Sequence, residues 1–490
     1  MHDWMIEAAA VAAYLAVLLV IGAVASRRMK DVTDYFAAGK SLGFWAAAFS
    51  ARATGESAWL LLGLTGMGAA SGVVGFWVVL GEVLGVALAW LQLCRPFKLR
   101  ADAYGAITVP DYLEARFEDA SHVLRLVAAC ALVVFVTIYV SAQIDATGTA
   151  FESFLGVGWT TGALIGFGVV LAYSVSGGFL AVVWSDVFQG TLMVLGLVAL
   201  PAAALLVIGG PGELVAELRA IDPALLSWTG GQPISAVSVA TVVGLVLIGL
   251  GFLGSPQIFV RFIALRDVAE IPRGTAVAVT WTVLADSGAV LTGMAGRALL
   301  DGTDLGNGGQ EVLPLLVREL FGPLVIGLYI AIVLSAIMST VDSLLVLAGS
   351  AAVRDVYQKV LHPELPDAAL VPASRAATLG LAMVALALAL GVGWTVEGRT
   401  VFWFVIFGWS GIAATFCPTM ILSLFWPRFT RQGALAAMAT GFCCVPLFKF
   451  GAPLLPGVGP VFAALAELPP SFVASGVAGI AVSLVTAPRR

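Results

Sequence analysis

Apolar stretches of about twenty residues recur about thirteen times along this chain, at 5–26, 42–68, 72–94, 122–151, 158–177, 186–208, 234–258, 274–299, 312–349, 374–394, 400–426, 432–450 and 470–487. Roughly twenty such residues in helical form cross a bilayer's hydrocarbon layer. Lipid offers the backbone no hydrogen-bond partners, so a spanning segment must satisfy its own. The spacing therefore predicts an all-α polytopic membrane protein with about thirteen transmembrane helices. Composition agrees: 60% of the 490 residues are hydrophobic and only 11% charged, against ~25% charged in soluble domains. No long polar linker interrupts the pattern, so 1–490 reads as a single domain.

Charge sets the expected orientation. The chain starts acidic, "MHDWMIE", and "RRMK" follows its first apolar run. A cleaved leader has the opposite order, so 5–26 is expected to span with the N-terminus outside and the C-terminus inside. With that threading, nineteen of the 25 Lys and Arg residues fall in inside loops, five fall outside and Arg52 is left within the membrane. Such a bias is the positive-inside pattern. The basic residues are scattered at helix ends, which speaks against nucleic acid as a partner. The five cysteines show no metal-ligand spacing, and His2, His122 and His362 lie at the terminus or in loops. No nucleophile–base pair or phosphate loop is present, so no enzyme activity is expected.

Two spans look breakable. In "SARATGESAW" Gly55 is flanked by Thr54, Glu56 and Ser57; in "IGLGFLGSPQIF" Gly249, Gly251, Gly254 and Pro256 follow closely. Glycine costs about 1 kcal/mol in a helix interior and proline about 3. Glycine can also serve close helix packing alone. Taken together, however, the breaks fall in the first and sixth of the ten helices after 5–26, the pattern of an inverted-repeat transporter with ion and substrate sites at the midplane. A third cluster, "LSAIMSTVDSLL", sets Ser335, Ser339, Asp342 and Ser343 at helical spacing with Thr340 adjacent. Hydroxyls and a carboxylate suit a small alkali cation. The alternative is hydroxyls bonded back along their own helix, with Asp342 hydrated at the inner mouth.

The stretches "DYFAAGKSLG", "TVPDYLEARFED", "GGFLAVVWSDVFQ" and "AIMSTVDSLLV" resemble the sodium/solute symporter family from the first helix to the last. That resemblance implies a LeuT-like 5+5 inverted repeat: a peripheral helix at 5–26, one repeat at 42–208, the other at 234–426, and two peripheral helices at 432–487. It implies alternating access, with Na+ as coupling ion, no organic cofactor, and a bacterial cytoplasmic membrane as location. Likeness is greatest to proline-carrying members, so proline or a related small amino acid is the expected solute. Sodium is expected on the carbonyls of Ala53, Glu56 and Ala336 and the hydroxyls of Ser339 and Thr340. A second sodium, or the ion path, would use Asp186, Asp342 and Ser343, unless Asp186 merely caps its helix. Ser57, Trp59, Tyr139, Phe252 and Pro256 are expected to hold the substrate.

Departures from the family pattern gather at this pocket. Gly55 replaces an aspartate, Glu56 a methionine and Ser343 a cysteine, while Ile248 and Phe252 stand for other aromatics. Arg52 and Glu56 are four residues apart and can pair across one turn. Alternatively, Glu56 faces the pocket, or joins Asp145 and Asp286 in a polar network with Arg52. Intramembrane charges are functional candidates by default. Glu56, Asp145 and Asp286 leave open a different, cationic solute or proton coupling.

Overall fold

The computed structural model describes residues 2–27, 38–174, 178–366 and 370–487. Arg28, Lys30, Arg489 and Arg490 of the charge count, the start of "DYFAAGKSLG" and the end of 158–177 lie outside the described residues. Among those described there is no strand, only one bridge between Leu42 and Leu265.

The helices that position the site are α1 (Asp3–Ser26), α2 (Phe44–Ala58), α3 (Phe76–Leu88), α4 (Val109–Phe117), α5 (Val123–Leu155), α6 (Trp159–Ser174) and α7 (Gly178–Ile208). After a short helix at Pro211–Ile221 come α8 (Ala236–Val246), α9 (Pro256–Ala264), α10 (Ile271–Leu299), α11 (Val312–Leu320) and α12 (Pro323–Ser350). The chain closes with α13 (Leu370–Thr395), α14 (Val401–Phe425), α15 (Arg431–Pro446) and α16 (Leu468–Thr486).

Eleven helical stretches among the described residues are long and apolar enough to cross a membrane. One of them, Phe44–Ala103, has 60 residues, about 90 Å at 1.5 Å per residue, and so holds two crossings. Gly72, at φ 60° and ψ −128°, interrupts it. Helix α6, with 16 described residues, falls short of the length required. The expected thirteen spans rest on these two readings. The 312–349 run is not one helix: extended backbone at Phe321 separates α11 from α12, where Gly322 and Pro323 stop one helix and start the next.

Helices α2, α7, α10 and α12 pack around one another at the centre, and α1 lies against α7 and α12. The outer faces carry exposed Leu206, Leu454, Val473 and Val485, as a lipid-facing surface does. Close packing uses glycine: a Cβ at Gly81 would lie 2.0 Å from the Val246 carbonyl oxygen and one at Gly85 2.2 Å from that of Gly249. This brings α3 against the broken segment after α8.

Candidate functional site

Both breaks are present. In α2 the backbone leaves the helix at Ser57 (φ 51°, ψ −167°), two residues beyond Gly55. A residue other than glycine is seldom found there. The interrupted ladder is satisfied locally: Ala58 N–H donates to Gln143 Oε1 at 3.1 Å, and Gln143 Nε2 donates to Ser57 Oγ at 3.3 Å. In the second break a 3-10 segment, Leu247–Leu253, joins α8 to α9, which begins at Pro256. Trp409 Nε1 donates to the Ile248 carbonyl at 3.1 Å, and Cys417 Sγ lies 3.3 Å from that of Gly251.

Between the breaks sit the expected pocket residues, all buried. Tyr139 Oη donates to Ser57 Oγ at 3.5 Å, and Trp59 Nε1 to the Gly55 carbonyl at 3.4 Å. The Phe252 ring lies 5.0 Å from Trp409. A Cβ on Gly55 would stand 3.0 Å from Phe252 Cε1, so Phe252 fills the space beside Gly55. Pro256 supplies the first turn of α9.

On one face of α2 the helix meets α12. Ser339 Oγ donates to the Ala53 carbonyl at 3.0 Å and Thr340 Oγ1 to the Thr54 carbonyl at 3.1 Å; each hydroxyl also lies 3.2 Å from the Ala336 carbonyl. Oxygens of Ala53, Ala336, Ser339 and Thr340 thus converge, together with Thr54. Glu56, the fifth residue expected here, is in the last turn before the break, its carboxylate turned to Arg52.

A second cluster surrounds Arg261. Its guanidinium donates to Asp186 Oδ2 at 3.1 Å, Thr54 Oγ1 at 2.7 Å, Ser343 Oγ at 2.6 Å and Ser50 Oγ at 3.0 Å. Asp342 accepts the Ser343 N–H at 2.6 Å. Asp186 is therefore no helix cap: it lies a full two turns inside α7. Arg261, which the expected threading puts in an inside loop, is buried at the end of α9, because the carboxylate and three hydroxyls replace its hydration.

Arg52 pairs with Glu56 one turn on and lies 3.6 Å from Glu82. Its guanidinium stacks 4.7 Å from the Phe252 ring centre and 5.6 Å from that of Trp281. Asp286 belongs to this group, but Asp145 does not. Asp145 pairs with Arg399 at 2.8 Å, on the wall of a cavity of about 530 Å³ that Glu152, Asp304 and Glu311 also line. The expected network of Arg52, Glu56, Asp145 and Asp286 therefore loses Asp145 and gains Glu82.

Sequence reasoning missed Glu82, Gln143, Arg261 and Trp409. Glu82 carried the signal that flagged Asp286, a carboxylate in an apolar run. Gln143, Arg261 and Trp409 carried none, since their roles depend on which helix faces which.

Broken helices at corresponding positions, with polar groups gathered at both breaks, define a secondary transporter. The sodium:solute symporter family profile matches residues 35–441, and the chain belongs to that family. It is 37% identical to the high-affinity proline transporter PutP of Bacillus subtilis, with 96% of each chain covered. It is 31% identical to the sodium/proline symporter of Escherichia coli, covering 96% of this chain and 91% of that one. A Na+-coupled sialic acid symporter in a substrate-bound outward-open state superposes with a TM-score of 0.81 at 20% identity, over 99% of this chain and 98% of the other. The nucleobase-cation-symport-1 transporter Mhp1 gives 0.53 at 16% identity, over 93% and 95%. The fold is the LeuT-type fold shared with these transporters.

Proposed function

We propose that the protein is a sodium-coupled symporter that imports proline by alternating access across a bacterial cytoplasmic membrane, N-terminus outside and C-terminus inside. The observation that carries this reading is the convergence of the Ser339 and Thr340 hydroxyls on carbonyls released at the α2 break. Sodium there accepts oxygens from Ala53, Glu56, Ala336, Ser339 and Thr340 and so ties α2 to α12, which fixes the pocket wall at Ser57. The ion enters as substrate and leaves on the other side. Residues 42–208 and 234–426 form the two repeats, with 5–26 and 432–487 peripheral.

Proline's carboxylate meets N–H groups at the breaks, where helix ends carry positive partial charge. Trp59, Tyr139, Phe252 and Pro256 enclose its ring, and Ser57 offers a hydroxyl. Asp186, Asp342 and Ser343 line the inward ion path; in this conformation the Arg261 guanidinium stands where a second sodium would bridge Asp186 and Ser343.

The test is uptake of labelled proline into proteoliposomes, with an inward sodium gradient and with a proton gradient alone. Sodium-driven accumulation that excess of other amino acids leaves intact is the expected result. Uptake driven only by protons, or no proline uptake while a cationic solute accumulates, would sink the reading.

A further inference from the structure

The charges on the other face of α2 do not balance. Arg52 and Glu56 lie one turn apart; Thr54, which faces α12, lies about 200° around the helix from Arg52 at 100° per residue. Glu56 from α2, Glu82 from α3 and Asp286 from α10 bring one carboxylate oxygen each within 4.8 Å of one another, all three side chains buried. Arg52 is the one cation in the group. It pairs with Glu56 and approaches Glu82. Asp286 is 0% exposed, and neither its oxygens, nor those of Glu56, nor Oε2 of Glu82 have a hydrogen-bond partner. A carboxylate in that condition, inside a membrane-spanning helix, is destabilising until a cation or a proton joins it. Hydroxyls or amides solve such problems elsewhere in this molecule: Ser50, Thr54 and Ser343 surround the Asp186–Arg261 pair. Around Asp286 they do not.

We propose that Glu56, Glu82 and Asp286 form a cation site separate from the sodium site at α12, taking a hard metal cation. The geometry suits one. Corners of a triangle with sides of 4.8 Å lie about 2.8 Å from its centre, and a small relaxation reaches the ~2.3–2.6 Å of hard cation–oxygen bonds. The donors are all carboxylate oxygen, which selects alkali or alkaline-earth ions over thiophilic metals. Arg52 offsets one of the three carboxylates, so once Glu56, Glu82 and Asp286 have all given up their protons to an entering cation, two negative charges remain. Calcium cancels both, whereas sodium, the coupling ion, leaves one. The site also touches the substrate pocket, since the Phe252 ring lies against both Arg52 and the Gly55 position. Filling it draws α3 and α10 toward the α2 break and holds Phe252 in place.

This inference rests on the symporter reading, and one experiment separates them. Radioactive sodium and, separately, radioactive calcium are bound to the purified full-length protein at constant ionic strength, with and without proline. The expected result is one saturable site lost in Ser339→Ala and a second, for sodium or calcium, lost in both Asp286→Asn and Glu82→Gln. Arg52→Gln removes a competing cation and should tighten that second site several-fold. A merely structural cluster predicts no tightening. If sodium binds only at the Ser339-dependent site and neither carboxylate variant nor Arg52→Gln alters binding of either ion, this proposal falls and the symporter reading stands. If no sodium binds, the symporter reading falls, and if neither sodium nor calcium binds, both fall. Displacement of the second ion by proline would also overturn the proposal, because the triad would then be holding the substrate's ammonium group.

Discussion

Ser339 and Thr340 hold hydroxyls 3.0 and 3.1 Å from two consecutive carbonyls of α2. At the proposed sodium site each of these hydroxyls is one ligand of the ion, so removing it should weaken sodium binding. Ser339→Ala and the volume-preserving Thr340→Val should therefore each raise the sodium concentration for half-maximal uptake by about tenfold or more, equivalent to ~1.4 kcal/mol. Sodium titration of proline uptake checks this. An unchanged half-saturation in both variants would place the ion elsewhere. Gly55 makes a steric prediction. An added methyl would sit 3.0 Å from Phe252 Cε1, and Phe252 must give by a few tenths of an ångström. Gly55→Ala should weaken proline affinity several-fold; pairing it with Phe252→Leu should restore part of the loss. Both the hydroxyls and the glycine were legible in the sequence as residue types. Their neighbours were not: no spacing rule connects Gly55 to Phe252, Arg261 to Asp186 or Glu82 to Asp286, because each pair is joined only when the two halves of the chain pack.

At the scale of helices, long apolar runs and glycine–proline clusters were sufficient to find the eleven long apolar stretches and both breaks, since lipid penalises unsatisfied backbone so heavily. Boundaries were less legible. The α2 break falls at Ser57, not Gly55, because Gln143 is there to bond the opened backbone. The 312–349 stretch divides at Phe321–Gly322, which hydropathy does not register because both sides are apolar. The contact between α3 and the 3-10 segment is made of backbone: Gly81, Gly85 and Gly249 leave no room for a Cβ beyond 2.2 Å of an opposing carbonyl. Neither backbone can retreat without opening the second break. Gly85→Ala should consequently reduce the amount of folded protein and lower its unfolding temperature in detergent. Gly105→Ala, with nothing within 4 Å of the new carbon but a left-handed φ of 65°, should cost only about 1 kcal/mol. Equal losses in the two variants would show that the α3 contact is not the sensitive one.

At the scale of the whole molecule, charged side chains bind the expected inner ends of the helices together. Arg125 of α5 reaches Asp111 and Glu114 of α4 at 2.9 and 2.7 Å, and pairs with Asp355 beyond α12. Lys98 donates to the Ile263 carbonyl at 3.0 Å, and Leu42 exchanges backbone hydrogen bonds with Ala264 and Arg266. On the alternating-access reading these contacts, which join residues 42–125 to residues 263–266 and 355, would have to part before ions and solute leave on that side. Arg125 is the hub, so Arg125→Gln should favour the inward-open form. A cysteine placed at Ser343, in a background without the five native cysteines, should then react faster with an impermeant thiol reagent supplied from the inside. Unchanged labelling would mean that the hub does not hold the gate. Acid offers a second handle. Burial works to raise the Asp111 carboxyl, but the guanidinium groups of Arg125 and Arg354 outweigh it and hold the group below the usual range. The same holds for Glu114, where burial is outweighed by the Arg125 and His122 hydrogen bonds. A carboxylate depressed in the folded state stabilises it fully above its unfolded value, about 4, and that contribution disappears as pH falls through the folded value. Labelling at Ser343→Cys, corrected for the reagent's own pH dependence, should thus gain nothing from Asp111 and Glu114 above about pH 4 in the otherwise native chain. The share held by these two carboxylates should be lost in stronger acid, and the Arg125→Gln chain should show the high rate throughout. A rise already complete at pH 6 would assign the gate to groups other than these carboxylates.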